Sequence, residues 1–148
     1  MTSSPDPSMP DTSDLLCFAI YSANHALTRL YRPLLAPLGL TYPQYLVLIS
    51  LNHHDRQTIS ALGDRLDLET NTLTPLLKRM EAAGLLSRVA NPEDDRSRIL
   101  QLSDQGRELV GKAGEISACA AATMGGDLEE LFDLRDRINA LRARLGAG

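Results

Sequence analysis

Apolar positions between Thr58 and Leu102 keep a helical period in two segments and then lose it, and those breaks divide the stretch into elements. Ile59, Leu62 and Leu66 step by three and four residues, as do Leu73, Leu76, Leu77 and Met80. Each set marks a helix with one buried face. Asp67-Leu68-Glu69 separates the two helices, which are expected over Thr58 to Leu66 and Thr70 to Ala83. Gly84 follows where a glycine closes a helix. Leu85 to Ala90 and Arg96 to Leu102 then read as two strands around a polar Asn91 to Asp95 tip. Two short helices followed by a hairpin predict a winged helix-turn-helix, whose second helix enters the DNA major groove.

The flanking segments are helical by the same test. Ser13 is the expected N-cap of a first helix running to about Tyr31, with apolar residues on several sides: Leu15, Leu16, Phe18, Ala19, Ile20, Leu27 and Leu30. A helix apolar all round must be covered by something besides its own lobe. Pro33 and the Pro37-Leu38-Gly39-Leu40 run are expected to break it. Thr41 then caps a second helix that carries Tyr45, Leu46, Leu48, Ile49 and Leu51 toward His53-His54. Ser103 or Asp104 caps a helix through Leu109, Val110, Ala113 and Ile116. After Gly125-Gly126, Leu128, Leu131, Leu134, Ile138, Leu141 and Leu145 form a seam for another helix. The chain is therefore expected to be mainly α with a small β-hairpin wing. Residues 1–12 form a flexible tail, 13–56 the N-terminal helices, 57–106 the winged lobe and 107–148 the C-terminal helices. The N- and C-terminal helices pair two copies into a homodimer.

The 148 residues carry a net charge of −4, which argues mildly against nucleic acid as a partner. Local arginines can still form a footprint. With its apolar stripe inward, the second helix of the pair leaves Asn71, Thr72, Thr74, Lys78 and Arg79 outside, with Thr70 at its start. Hydroxyl and amide groups near a helix start reach base edges, and Lys78 and Arg79 reach phosphates or guanines. Arg88, Arg96 and Arg98 flank the hairpin tip, and an arginine on a projecting loop suits a narrow minor groove. Pro75 confines its cost to the first turn if Asn71 is the cap. No apolar run approaches the roughly 20 residues of a membrane span. Two distant cysteines without a C-x-x-C fit a reducing cytoplasm. His25, His53, His54 and the cysteines lack metal-ligand spacing, and no metal or other cofactor is expected.

Cys17 lies near the start of the first helix, where the helix dipole favours a thiolate, although Asp14 opposes it. The competing reading is an inert packed thiol. Tyr21, Tyr31 and Tyr42 stand near the ends of this region, and phenol hydroxyls can donate to a thiolate.

Four blocks carry a family resemblance: Leu16-Cys-Phe-Ala-Ile-Tyr-Ser-Ala23, Tyr31-Arg-Pro-Leu-Leu35, Leu38-Gly-Leu-Thr-Tyr-Pro-Gln-Tyr-Leu-Val-Leu48 and Thr72-Leu-Thr-Pro-Leu-Leu-Lys-Arg-Met-Glu-Ala-Ala-Gly84. They resemble the MarR family of transcriptional regulators, and within it the organic-hydroperoxide-sensing branch. The likeness covers about Leu15 to Gly106 and is weak beyond Gly111. Asp94-x-Arg96 matches the family's wing motif, in which the aspartate holds the arginine that enters the minor groove. The resemblance implies a dimeric repressor on an inverted-repeat operator, with organic hydroperoxide as inducer and Cys17 as peroxidatic sensor. It further implies that Tyr31 and Tyr42 of the partner subunit hydrogen-bond the thiolate, with Tyr21 nearby. One subclass then forms an intersubunit disulfide to a C-terminal cysteine, at about the position of Cys119. The other uses small thiols, and among Ala118, Ala120, Ala121 and Ala122, Cys119 also reads as a small packing residue. Two further readings compete. One is release of DNA by a small phenolic ligand, as in other MarR relatives. The other is a thiol peroxidase, for which Pro10, Asp14 and Cys17 supply no matching threonine. An enzyme is not expected.

Overall fold

Thr41 sets the position of the central helix. Its hydroxyl accepts the Gln44 N–H (3.4 Å), and the Gln44 side chain accepts the Thr41 N–H (3.1 Å), a reciprocal cap that starts α2 (Tyr42–His53). Helix α2 buries Tyr45, Val47, Leu48 and Leu51 and stands at the centre of its unit. This is a computed structural model, and it describes residues 8–146. The tail expected over residues 1–12 therefore lies partly outside the described residues.

In chain order the elements are α1 (Leu16–Leu35), α2, β1 (Gln57–Thr58), α3 (Ile59–Leu66), α4 (Thr70–Ala82), β2 (Leu86–Ala90), β3 (Arg98–Leu102), α5 (Asp104–Met124) and α6 (Leu128–Gly146). One compact unit runs to Ala113 and a second begins at Gly114. The architecture is mainly helical with a small sheet, as expected from the apolar periods. Leu62, Leu73, Leu77 and Met80 from the helix pair are buried with Leu35, Leu48, Leu51 and Leu100.

Several boundaries differ from expectation, each for a local reason. Ser13 does not cap the first helix. Asp11 captures both its N–H and its hydroxyl and folds Thr12–Asp14 into a 3-10 turn, so α1 starts after Leu15 with no side-chain cap. Pro33 does not break α1, which continues to Leu35, a residue only 1% exposed. Proline costs the helix one N–H bond near its end, and burial of Leu35 offsets that loss. Helix α4 begins at Thr70 behind Glu69, with no side-chain cap, rather than at an Asn71 cap. Pro75 is consequently the sixth helical residue and lies beyond the first turn.

The hairpin also gains a strand. Gln57 and Thr58 pair antiparallel with Leu100 and Ile99, so the sheet is three-stranded in the order β1-β3-β2. Thr58 then turns its hydroxyl to the Ala61 N–H and caps α3. Gln57, which is buried, donates its side-chain amide to the carbonyls of Ser50 and His54 and closes the end of α2. Arg96 lies in the wing tip rather than in β3, which starts at Arg98. Gly84, at φ +78°, ends α4: its N–H reaches Glu81 O, and the next N–H, of Leu85, reaches Met80 O.

In the second unit Asp127 caps α6 by accepting the Glu130 N–H (2.7 Å). Leu128, Phe132, Leu134, Ile138 and Leu145 on this helix are all exposed. Of the predicted seam, Leu128, Leu134, Ile138 and Leu145 are thus exposed, while Leu131 and Leu141 are half-buried. Among the described residues no single helix is long and apolar enough to cross a membrane.

Candidate DNA-reading surface and redox site

Burial of Leu73, Leu76, Leu77 and Met80 fixes which side of α4 faces outward. Thr70, Asn71, Thr72, Lys78 and Arg79 are exposed on that side, as their spacing predicts. Thr74 is half-buried and donates its hydroxyl to Thr70 O at 2.9 Å, so its proton is occupied within the helix.

The wing tip is folded by its own polar side chains. Asn91 accepts the Glu93 N–H through its side-chain oxygen and donates its side-chain amide to the Ser97 hydroxyl at 2.7 Å. Asp94 Oδ1 accepts the backbone N–H of Arg96 at 3.0 Å. The aspartate therefore organises Arg96 through its main chain, leaving the exposed guanidinium to project from the tip. Asn91 was not singled out by the sequence reading, although an asparagine opening a Pro-Glu-Asp-Asp tip is a usual turn builder.

Arg88 is placed differently from Arg96. It pairs with Glu81 of α4 through its guanidinium (3.4 Å), and the same carboxylate accepts the Arg88 N–H at 3.1 Å. Those bonds hold the Glu81 carboxyl below its ordinary range, the Arg88 side chain being the main cause. Arg88 thus ties β2 to the reading helix. The residues are seven apart across the Gly84 turn, a spacing that no periodicity rule flags.

A second tie joins the other side of the lobe. Asp55 accepts the N–H of Leu102 (3.1 Å) and of Arg56 (2.9 Å) and pairs with Arg107 of α5 at 2.8 Å. Arg56, in the left-handed region at φ +61°, reaches Gln101 with its guanidinium.

Cys17 is the second residue of α1, inside its first turn, and is exposed and unpaired with any other cysteine. Tyr21 lies one turn further on and packs its ring against His25 at 4.3 Å. Tyr31 follows Cys17 by fourteen residues of the same helix. At about 1.5 Å of rise per residue that is roughly 21 Å along the axis. Tyr31 therefore cannot support the thiol of its own chain. It clusters instead with Tyr42 (5.0 Å between ring centroids) and Tyr45 (5.5 Å), which are 5.9 Å from each other. Burial, then the neighbouring Tyr45 and Tyr42, push the Tyr31 hydroxyl up to about 12, and burial raises Tyr42 as well. Both phenols keep their protons at neutral pH and stand as donors. Tyr45, a core position of α2 by its spacing, is buried, and its contact with Tyr31 follows from a helix crossing that spacing does not reveal. Cys119, on α5, is exposed beside the buried Ala120.

Residues 40–97 match the MarR family. Over 142 residues the chain is 42% identical to the HTH-type transcriptional regulator TtmR of Methylorubrum extorquens, across 96% of this chain and 72% of that protein. It is 39% identical over 126 residues to the organic hydroperoxide resistance transcriptional regulator of Bacillus subtilis, across 85% of this chain and 86% of that one. The structure of reduced AbfR bound to DNA matches with a TM-score of 0.80 at 31% identity, covering 91% of this chain and 92% of that one. Disulfide-formed AbfR matches with a TM-score of 0.64 at 32% identity, covering 91% and 90%. By the family match and by its identity to these regulators over most of its length, this chain belongs to the MarR family of winged-helix transcriptional regulators.

Proposed function

We propose that this regulator is a cytoplasmic, homodimeric repressor that senses organic hydroperoxides by oxidation of Cys17 and then releases its operator. The observation that carries the reading is the division of the sensor along α1. An exposed thiol stands at one end and a cluster of protonated tyrosines at the other, roughly 21 Å away. Such a site is completed by the antiparallel approach of a second copy, which brings Tyr31 and Tyr42 of the partner to each Cys17. The exposed apolar residues Leu16, Phe18, Ile20 and Leu27 of α1 and the open seam of α6 give that second copy a surface to cover.

The chemistry runs as follows. The Cys17 thiolate attacks one peroxide oxygen, the O–O bond breaks, the alcohol leaves with a proton, and sulfur becomes a sulfenic acid. The Cys119 thiol of the other subunit then attacks that sulfur, the S–O bond breaks and water leaves. Shifting a dimer from nearly all DNA-binding to nearly all released requires about 5.5 kcal/mol of differential free energy. A disulfide needs Cα atoms within about 7 Å. If the reduced dimer holds the two thiols further apart, closing the bond must move the reading lobes. AbfR supports a change of this kind: at nearly equal identity and coverage, its reduced DNA-bound and disulfide forms match this chain with TM-scores of 0.80 and 0.64, so the two forms differ in backbone shape.

DNA contact is assigned to Thr70, Asn71, Thr72, Thr74, Lys78 and Arg79 of α4 and to Arg96 of the wing, with Asp94 ordering the tip and Arg88 bracing it. Non-reducing gel electrophoresis after treatment with a lipid-like hydroperoxide tests the redox step. Wild type should run as a disulfide-linked dimer and lose DNA binding, and Cys17→Ser should stay bound. Cys119→Ser should react yet release DNA poorly. Release by Cys119→Ser as fast and reversible as wild type, without added thiol, would remove Cys119 from the mechanism. A second reading rests on the cavity of about 280 Å³ lined by Arg32, Tyr42, Leu35 and Leu40, a size and polarity suited to a phenolic acid. Ligand-induced release that survives Cys17→Ser would favour it.

A further inference from the structure

We infer that Tyr45 is a positioning residue of the sensor, set behind Tyr31 to aim the one proton of that phenol at the thiolate; this rests on the peroxide-sensing reading above. The capping box of Thr41 fixes the first turn of α2 and with it Tyr42 and Tyr45, three residues apart on one face. Tyr31 comes in from α1, and its ring lies against both. The three rings differ in access. Tyr45 is 5% exposed, whereas Tyr31 and Tyr42 are half-buried. Only the outer pair can meet a group arriving from outside.

Tyr45 lies close enough to act on that pair through its hydroxyl as well as its ring: its centroid stands 5.5 Å from that of Tyr31, and the raised Tyr31 phenol is consistent with a proton shared between the two hydroxyls. A phenol has one proton and can accept as well as donate. With no anion at hand, the Tyr31 proton is spent on Tyr45. When a thiolate meets Tyr31, the order reverses: Tyr45 donates to the Tyr31 oxygen, and Tyr31 donates to sulfur. Hydrogen bonds in such a chain polarise one another, so the outer donor is stronger than an isolated phenol. The buried position of Tyr45 also holds the Tyr31 oxygen in place, sparing the entropy of ordering it on encounter.

The experiment measures Cys17 alkylation by iodoacetamide in full-length reduced dimer carrying Cys119→Ser, so that one thiol reports. Tyr45→Phe removes one oxygen and keeps the ring, and unchanged thermal melting and DNA affinity verify that the fold is retained. At neutral pH the rate should fall about two- to tenfold, the scale of one hydrogen bond. The deficit should vanish at alkaline pH, where the thiol ionises without help. In a Tyr31→Phe background, Tyr45→Phe should change nothing further, because its effect passes through Tyr31. A slowed rate with Tyr31→Phe but not with Tyr45→Phe would leave Tyr45 as packing alone and overturn the inference while sparing the sensor reading. An equal additional loss in the Tyr31→Phe background would overturn it too. No effect of either substitution would defeat the tyrosine support on which it rests.

Discussion

Asp94 separates two ways a wing can hold its arginine, and the structure chooses between them. Its carboxylate accepts the Arg96 main-chain N–H at 3.0 Å, at an exposed tip. Asp94→Ala removes one such bond and leaves the tip to be ordered on binding. A net loss of about 1 kcal/mol follows, or roughly fivefold in DNA affinity. Asp94→Asn keeps an Oδ1 acceptor for the same N–H, and it deletes a negative charge near the phosphates. Its affinity should stay within about twofold of wild type or improve. Arg96→Ala should remove the proposed minor-groove contact itself, at about 1–3 kcal/mol, with the largest effect on sites with A·T-rich flanks. In that background Asp94→Ala should add little, since it would order a tip that carries nothing. The assay is fluorescence anisotropy at fixed salt on a duplex selected by the wild-type protein from a random library, with flanks varied. If Asp94→Asn weakens binding as much as Asp94→Ala, the aspartate acts through its charge on the guanidinium and the backbone role is wrong. Equal loss by Arg96→Ala on A·T-rich and G·C-rich flanks would refute the minor-groove placement.

Lys78→Ala should weaken all sequences alike and lower the slope of log affinity against log salt by about one. Gly106→Ala should lower the melting temperature by several degrees. Its Cβ would stand 2.1 Å from the Leu85 carbonyl oxygen, which is already bonded to the Ser103 N–H, and overpacking of this kind costs about 1–3 kcal/mol. Gly111→Ala in the same helix meets nothing within 4 Å and should raise the melting temperature slightly, so equal shifts would contradict the packing described. The Glu81 carboxyl is depressed by Arg88, so its tie to the wing is complete above the ordinary carboxylate range and is lost as pH falls through its lowered folded value. Melting curves taken from neutral to acid should show that loss in wild type and not in Glu81→Gln.

What the chain disclosed in advance was what burial makes periodic. Leu73, Leu76, Leu77 and Met80 gave α4 and its outward face together, and Thr41 and Gly84 marked helix ends because their chemistry is local. The misplacements came where two local preferences competed. Ser13 could cap a helix, but Asp11 two residues earlier took its N–H first. Pro33 should stop a helix, but Leu35 beyond it is drawn into the core. Strand β1 was invisible for another reason: Gln57-Thr58 has no alternation, and it is a strand only because β3 offers an edge. The same limit hid Glu81 with Arg88, and Tyr45 with Tyr31. These pairs are assembled by turns and crossings, and no spacing rule reaches across them.

On the proposed redox reading, those hidden ties limit how oxidation can reach the DNA. Glu81 binds Arg88 by backbone and side chain, so the wing strand β2 cannot leave the reading helix without giving up a charge-assisted bond. On the opposite side Asp55 holds the end of β3, the turn before β1 and the first turns of α5 at once. Leu62, Leu73, Leu77, Met80 and Leu100 fill the space between, all at 1% exposure or less. Remodelling α4 relative to its wing would break several of these contacts together, and packed cores of this kind resist gradual deformation. Moving the whole unit up to Ala113 as one body, with Asp55 and Arg107 included, breaks none of them. On the proposed redox reading, oxidation at Cys17 has its least costly route to the operator through the spacing of two intact reading heads. On that proposed reading helix α5 carries the movement, because Arg107 near its start is bonded to Asp55 and the same helix runs on to Cys119.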